Sequence, residues 1–260
     1  MAEYSRVYRK DPKHFNALPD AHYVSTREAD RVVVVAFKSR ALGLNVPNKF
    51  VARYADRDPK RLIGFCCVDP NDEGAARELR RCVRDLHMRG LKLGPIYQHF
   101  DPNSKKAYRV FAAAEELRIP VLIHQGTTFV RDAPLKVANP SLLDEVATNF
   151  PNLTIIVAHL GHPWEDETIA LVRKQPKVYS DVSGLVYRPS RLYLKLLSCM
   201  EYGVMNKLLL GSDFPFGTPK EVMEELRKIN RFADGTRFPR IPEKAIEAII
   251  SKNASEIFSE

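Results

Sequence analysis

The succession of apolar runs in this 260-residue chain predicts an α/β fold, a (β/α)8 barrel, and three observations carry that reading. Residues 119–123 run into His124, residues 153–158 into His159, and residues 207–212 into Asp213, so three short apolar segments each end on a group able to bind a metal or move a proton. Each is followed at once by loop residues: Gln125-Gly126, Leu160-Gly161 and Phe214-Pro215. Polar groups at the C-terminal ends of consecutive parallel strands mark the mouth of such a barrel, where its active sites lie.

The elements follow in order. Residues 15–29 read as a helix, with Phe15, Leu18, Tyr23 and Val24 forming an apolar stripe. Residues 31–37 hold four consecutive valines, a run expected of a strand buried on both faces. Further strands are predicted at 62–68, 90–93, 119–124, 153–159, 178–182 and 207–212. The helix at 72–88 is introduced by Asp69-Pro70-Asn71-Asp72, where Asp and Asn are good caps, and carries Leu79, Val83 and Leu86 at helical spacing. Others are predicted at 104–117, 142–149, 189–200, 219–232 and 242–258. Alternating strand and helix gives a parallel sheet wrapped by helices, in a single domain over 1–260.

Seven strands leave a barrel of eight one short. A helix ahead of the first clear strand points to another strand before it, and only residues 1–14 remain to supply one. Tyr4, Arg6 and Tyr8 would share one face of an extended segment, but that stretch is polar for a central barrel strand. Strand 1 is therefore expected to be missing or replaced by the N-terminal segment. A sheet with such a gap exposes two strand edges, which need a cover or a partner. Residues 1–14 are expected to cover the gap or to cross to a neighbouring subunit, with a homodimer as the assembly.

Bulk properties narrow the function. Hydrophobic content of 45% and charged content of 28% are ordinary for a globular protein. The net charge of +8 is spread over most predicted helices and mixed with acidic residues, a solvated surface rather than a nucleic-acid footprint. No run approaches the ~18 apolar residues of a membrane span, and no signal peptide follows Met1. Cys66, Cys67, Cys82 and Cys199 lack zinc or redox spacing and read as buried free thiols, which points to a reducing, cytoplasmic setting.

The motifs Ile123-His124-Gln125-Gly126, Ala158-His159-Leu160-Gly161-His162-Pro163-Trp164 and Gly211-Ser212-Asp213-Phe214-Pro215 together resemble the amidohydrolase-related family of metal-dependent barrel enzymes. Gly64-Phe65-Cys66-Cys67-Val68-Asp69-Pro70 and Gly90-Leu91-Lys92-Leu93 are similar to that family's third and fourth strand regions. The resemblance implies His124 and Asp213 as metal ligands from strands five and eight. It places His159 at the strand-six position, as a second-metal ligand or a catalytic group, with Asp213 or His159 handling the proton of a metal-bound water. The implied ion is Zn²⁺ or Mn²⁺.

One part of the pattern is absent. The seven histidines stand at 14, 22, 87, 99, 124, 159 and 162, so no His-x-His exists to complete the ligand set. A catalytic zinc normally has three protein ligands, and little bound metal is expected here. Missing strand and missing ligand pair belong to one segment, which points to a start upstream of Met1 or, alternatively, to loss of the metal. Lys92, at the fourth strand end, reads as a cation for an acidic substrate or as a structural ion pair. His99 is a substrate-contact candidate, and so is His162, whose bland role is shaping the loop with Pro163 and Trp164. Asp181 orients a substrate or caps a turn; Arg131 and Arg188 lean towards a carboxylate. His14, His22 and His87 read as surface or packing residues.

The expected activity is hydrolysis of a small organic acid, ester, lactone or amide. The alternatives are non-oxidative decarboxylation on the same fold, a metal-free lactonase with Asp213 as base, or an inactive barrel.

Overall fold

The computed structural model describes residues 15–251 together with 6, 11, 253, 254 and 257. The expected roles of residues 1–14 as strand, cover or subunit crossing, and of His14 as a surface residue, therefore lie outside what is described apart from Arg6 and Asp11. The chain forms two compact units, Asp30–Tyr179 and the union of Met1–Ala29 with Ser180–Glu260.

The first unit holds β1 (Val32–Val35), β4 (Leu62–Cys67), β5 (Gly90–Leu93), β6 (Val121–Ile123), β7 (Ile155–Val157) and the first half of β8 (Val178–Asp181). Register is parallel throughout: Val35 lies beside Phe65, Cys67 beside Lys92, Lys92 beside Leu122 and Leu122 beside Ile156. In the second unit Ser180 and Asp181 pair with Leu208 and Leu209 of β9 (Leu208–Leu209). The strand order is thus β1-β4-β5-β6-β7-β8-β9, and all seven predicted strands are present.

Packing explains the positions of small residues. A Cβ on Gly90 would stand 2.3 Å from the Phe65 ring, so only glycine lets that fully buried ring lie across β5. β4 is buried at all six positions. β1 is not: its four valines are each only half-buried, contrary to the expectation of burial on both faces, because among the described strands β1 stands at an end of the order, beside β4 alone.

Helices α1 (Pro19–Ser25), α3 (Ala75–Leu86), α5 (Lys105–Glu116), α6 (Leu143–Asn149), α8 (Pro189–Glu201), α9 (Pro219–Arg227) and α10 (Glu243–Ser251) fall where the pattern places them, with α1 much shorter than 15–29. Pro19 opens α1 at its first turn and no residue of that helix is buried, so the apolar stripe gives it little packing. Ser104 caps α5 through Ala107 N–H, and Thr218 with Glu221 forms a capping box on α9.

Two strands and three helices escaped prediction. A hairpin of β2 (Phe37–Ser39) and β3 (Leu44–Val46) and helix α2 (Asn48–Ala55) fill the connection after β1; α4 (Pro95–Gln98) follows β5; α7 (Glu165–Lys174) joins β7 to β8. All four cysteines are free and buried, as expected. No helix among the described residues is long and apolar enough to cross a membrane.

Candidate functional site

Strand alternation sets the site in the first unit. Lys92 on β5 and Leu122 on β6 are register partners and half-buried, while their neighbours Leu91, Leu93, Val121 and Ile123 are fully buried. His124 lies two residues beyond Leu122, on the same face. Its backbone N–H still donates to Leu93 O at 2.9 Å, so the ladder holds it although the strand has formally ended.

Only 8% of His124 is exposed. Its Nε2 lies 3.2 Å from Thr127 O, and because a carbonyl only accepts, that nitrogen carries the proton. Burial, with the neighbouring His159 and Lys92, holds the imidazole well below the usual histidine range, outweighing the carbonyls of Thr127 and Gly126. The ring is therefore neutral near pH 7, with Nδ1 as its acceptor.

His159 faces it, ring centroids 5.1 Å apart and planes at 65°. The chain turns sharply to do this. His159 and Leu160 have φ of 59° and 48°, followed by Gly161 at 67°, three consecutive left-handed residues that begin one residue past β7. Two of them are not glycine, and such strain is held by surroundings that over-determine it. A Cβ on Gly161 would meet Thr168 Oγ1 at 2.1 Å and Pro140 at 2.5 Å. The adjoining loops are tied together as well: Thr127 N–H donates to His162 O at 2.8 Å, and a Cβ on Gly126 would lie 2.7 Å from that oxygen.

Lys92 acts on both sides of its strand, lowering His124 and drawing on the Cys67 thiol. Burial nevertheless pushes Cys67 up to about 12, so it is no nucleophile. Tyr97 completes the surroundings of His124, its ring 4.8 Å from the imidazole. Sequence reasoning chose His99 from this loop and missed Tyr97. His99 is exposed at φ 52° and lines a separate surface hollow of about 460 Å³ with Phe100, Asp101, Pro134, Lys136, Val137 and Leu142. The signal for Tyr97 was Pro95 after Gly94, which starts a single helical turn and brings the third side chain back over the strand end.

His162 Nδ1 meets Glu165 Oε1 at 2.6 Å, and the Glu165 side chain is only 1% exposed. That pairing anchors the loop at the start of α7. Arg131 is exposed.

In the second unit Asp213 follows β9 at φ 51°, half-buried, and its carbonyl accepts from Phe216 N–H at 2.9 Å. The His22 ring stands edge-on to Phe214 at 5.1 Å. Asp181 accepts from both the backbone N–H and the hydroxyl of Ser183, which is the turn-capping reading of that residue. Arg188 donates to Gly184 O.

The implied metal does not fit the residues present. Among the described residues no three His, Cys, Asp or Glu side chains gather into a group able to hold an ion. His124 Nε2–H is given to a carbonyl, which leaves this ring a single lone pair, at Nδ1, where a catalytic ion needs three protein ligands.

Parallel strands that present two histidines and a lysine at their C-terminal ends belong to the (β/α)-barrel enzyme class. The family model described as amidohydrolase matches residues 4–259, and the chain belongs to that family. Its fold is the family's barrel: a TIM-barrel protein from Bordetella bronchiseptica superposes with a TM-score of 0.75, covering 99% of this chain and 90% of its own, at 22% identity. Over 234 residues, 77% of this chain and 64% of the relative, it is 24% identical to the 2-amino-3-carboxymuconate-6-semialdehyde decarboxylase of Dictyostelium discoideum. A dihydroxybenzoic acid decarboxylase from Polaromonas, solved with manganese and the inhibitor 2-nitroresorcinol, is 19% identical with a TM-score of 0.59, over 81% of this chain and 73% of that one. The chain spans 54% to 64% of the length of the curated relatives it matches.

Proposed function

We propose that this chain catalyses the non-oxidative decarboxylation of a small unsaturated carboxylic acid. One observation carries the reading: Lys92, His124 and His159 stand at the ends of three adjacent parallel strands, a cation beside two facing imidazoles. The relatives named as decarboxylases support this over the hydrolysis expected from sequence.

In the assigned chemistry Lys92 Nζ orients the anionic acid, since an ammonium is a compact point charge for a carboxylate. His159 delivers a proton to the carbon that bears the carboxylate. The π electrons of the substrate form the new C–H bond, the C–C bond to the carboxylate breaks, and its electrons restore the π system as CO2 departs. Solvent then returns the proton to His159. His124, neutral and fixed by Thr127, shapes the pocket and accepts a hydrogen bond at Nδ1. The resemblance gives Asp213 a proton-handling part, and Asp213→Asn tests it separately. The partner is a small molecule; a homodimer, a cytoplasmic location and a single domain over 1–260 complete the reading, the last supported by the family match over 4–259.

The test is CO2 release from a panel of hydroxybenzoates and conjugated dienoic acids, followed for the wild type and His159→Asn. Release that falls about 100-fold or more in the variant is expected, the size of a general-acid contribution. No release from any acid, or equal release by the variant, would overturn the proposal.

A further inference from the structure

Tyr97, whose ring lies 4.8 Å from the His124 imidazole, is braced from several segments. Phe37 meets it edge-on, ring centroids 5.8 Å apart at 89°. A Cβ on Gly94 would stand 3.1 Å from both rings, so the missing side chain makes the space in which they pack. The turn below is locked by Gln98, which is fully buried: its Oε1 accepts from Gly94 N–H at 2.9 Å, and its Nε2 donates to Lys38 O at 2.8 Å and Val68 O at 2.9 Å. Ser39 Oγ donates to Tyr97 O at 2.6 Å. Behind the ring lies a small apolar cluster of Ile96, Ala133, Val137 and Ala138, completed by Val130 and Trp164.

The result is a braced, half-exposed aromatic wall beside the His124 ring, which in turn faces His159, with Lys92 at the end of the adjoining strand. A solute that complements it is flat and apolar across its face and anionic at one edge. We infer that Tyr97 is the specificity-determining residue of this site, selecting a planar aromatic or conjugated acid over a saturated acid of the same size. Aromatic rings prefer offset or edge contacts with one another, and a puckered ring cannot match them. The inference rests on the site named in the proposed function but not on the reaction.

Isothermal titration of the full chain with benzoate and with cyclohexanecarboxylate, two acids of similar size and charge, tests it. Wild type is expected to bind benzoate about three- to tenfold more tightly, the range of an aromatic pair beyond its buried area. Tyr97→Phe keeps that ratio and Tyr97→Leu brings it to about one. Phe37→Leu, which removes the edge-on brace and leaves Tyr97, shrinks the ratio as well and serves if Tyr97→Leu does not fold by circular dichroism. A wild-type ratio of one, or a ratio that survives in the leucine variants, overturns the inference. CO2 release is measured in parallel. Ring discrimination without release sinks the decarboxylation alone, and release with an unmoved ratio sinks the role of Tyr97 alone.

Discussion

The strand ends of the first unit and the strand end of the second are built by different means. Around β5, β6 and β7, two buried polar side chains and a backbone bond fix the loops: Gln98 holds three backbone groups, Glu165 holds the His162 ring, and Thr127 N–H donates to His162 O. After β9, residues 211–216 are all half-buried, and the bonding combines turns and caps, Phe216 to Asp213 and Thr218 with Glu221, with two side-chain ties, the Tyr187 hydroxyl to Phe216 O and the Asn253 amide to Leu208 O. Both regions place a candidate site residue at positive φ, His159 at 59° and Asp213 at 51°. Strain of that kind therefore accompanies the strand-end residues in both, while the loop that carries the residue differs: Gln98 alone satisfies three backbone groups in the first unit, and Asp181 collects two donors from one neighbour in the second. The lesson is that motif residues alone do not reveal how firmly a site is held; the neighbours that hydrogen-bond to backbone do.

Metal binding is the largest expected departure between this chain and a fully liganded relative. Titration of the purified chain with MnCl2 or ZnCl2, read by equilibrium dialysis and elemental analysis, should give affinities at least about 100-fold weaker than a site with three protein ligands, since even an outer-shell loss costs about 10- to 100-fold. Stoichiometric metal that survives dialysis against a mild chelator would show that the donor set is larger than His124 and its neighbours.

Gln98→Ala should cost about 2–4 kcal/mol in urea unfolding, because it leaves Gly94 N–H, Lys38 O and Val68 O without their buried partner. Ser183→Ala in the second unit, which removes one of two donors to Asp181, should cost about 1 kcal/mol. Equal losses would erase the contrast between the units.

The smallest effect is a pH dependence. Burial raises the Asp72 carboxyl, but hydrogen bonds from Lys38 and Arg40 outweigh it and hold the group below the usual aspartate value, while Lys38 is raised by the same pair. A carboxyl depressed in the folded state stabilises above its unfolded pKa of about 3.9, and that contribution is lost as pH falls through the lower folded value. Thermal melts from pH 6 down to pH 3 should show a loss on the order of 1 kcal/mol that Asp72→Asn abolishes. An unchanged slope in the variant would assign the acid sensitivity elsewhere.

All seven strands were legible because continuous apolar runs bounded by turn residues leave little choice of element. The hairpin at Phe37–Val46 was not: its strands are three residues each, and β3 is exposed at every position, so no burial pattern marks it. Helix α7 went unread because the segment after His159 was weighed as loop chemistry, although Glu165, Asp166 and Glu167 in its first turn and Arg173 and Lys174 in its last follow the helix dipole. The strand-end positions of His124, His159 and Lys92 were legible from the apolar runs before them. For Tyr97 the local pattern, Pro95 after Gly94, marks only the turn; its packing against Phe37 comes from a segment distant in the chain, which no local pattern encodes.

The central claim, that this chain exchanges a carboxylate for a proton, is tested most directly by isotope labelling. The acid that releases most CO2 is incubated with the protein in D2O and, separately, in H2¹⁸O, and the product is analysed by mass spectrometry. Decarboxylation predicts one deuterium at the carbon that lost CO2, one CO2 per product molecule, and no ¹⁸O in the organic product. Product carrying ¹⁸O with its carboxylate retained would show hydrolysis instead and contradict the claim.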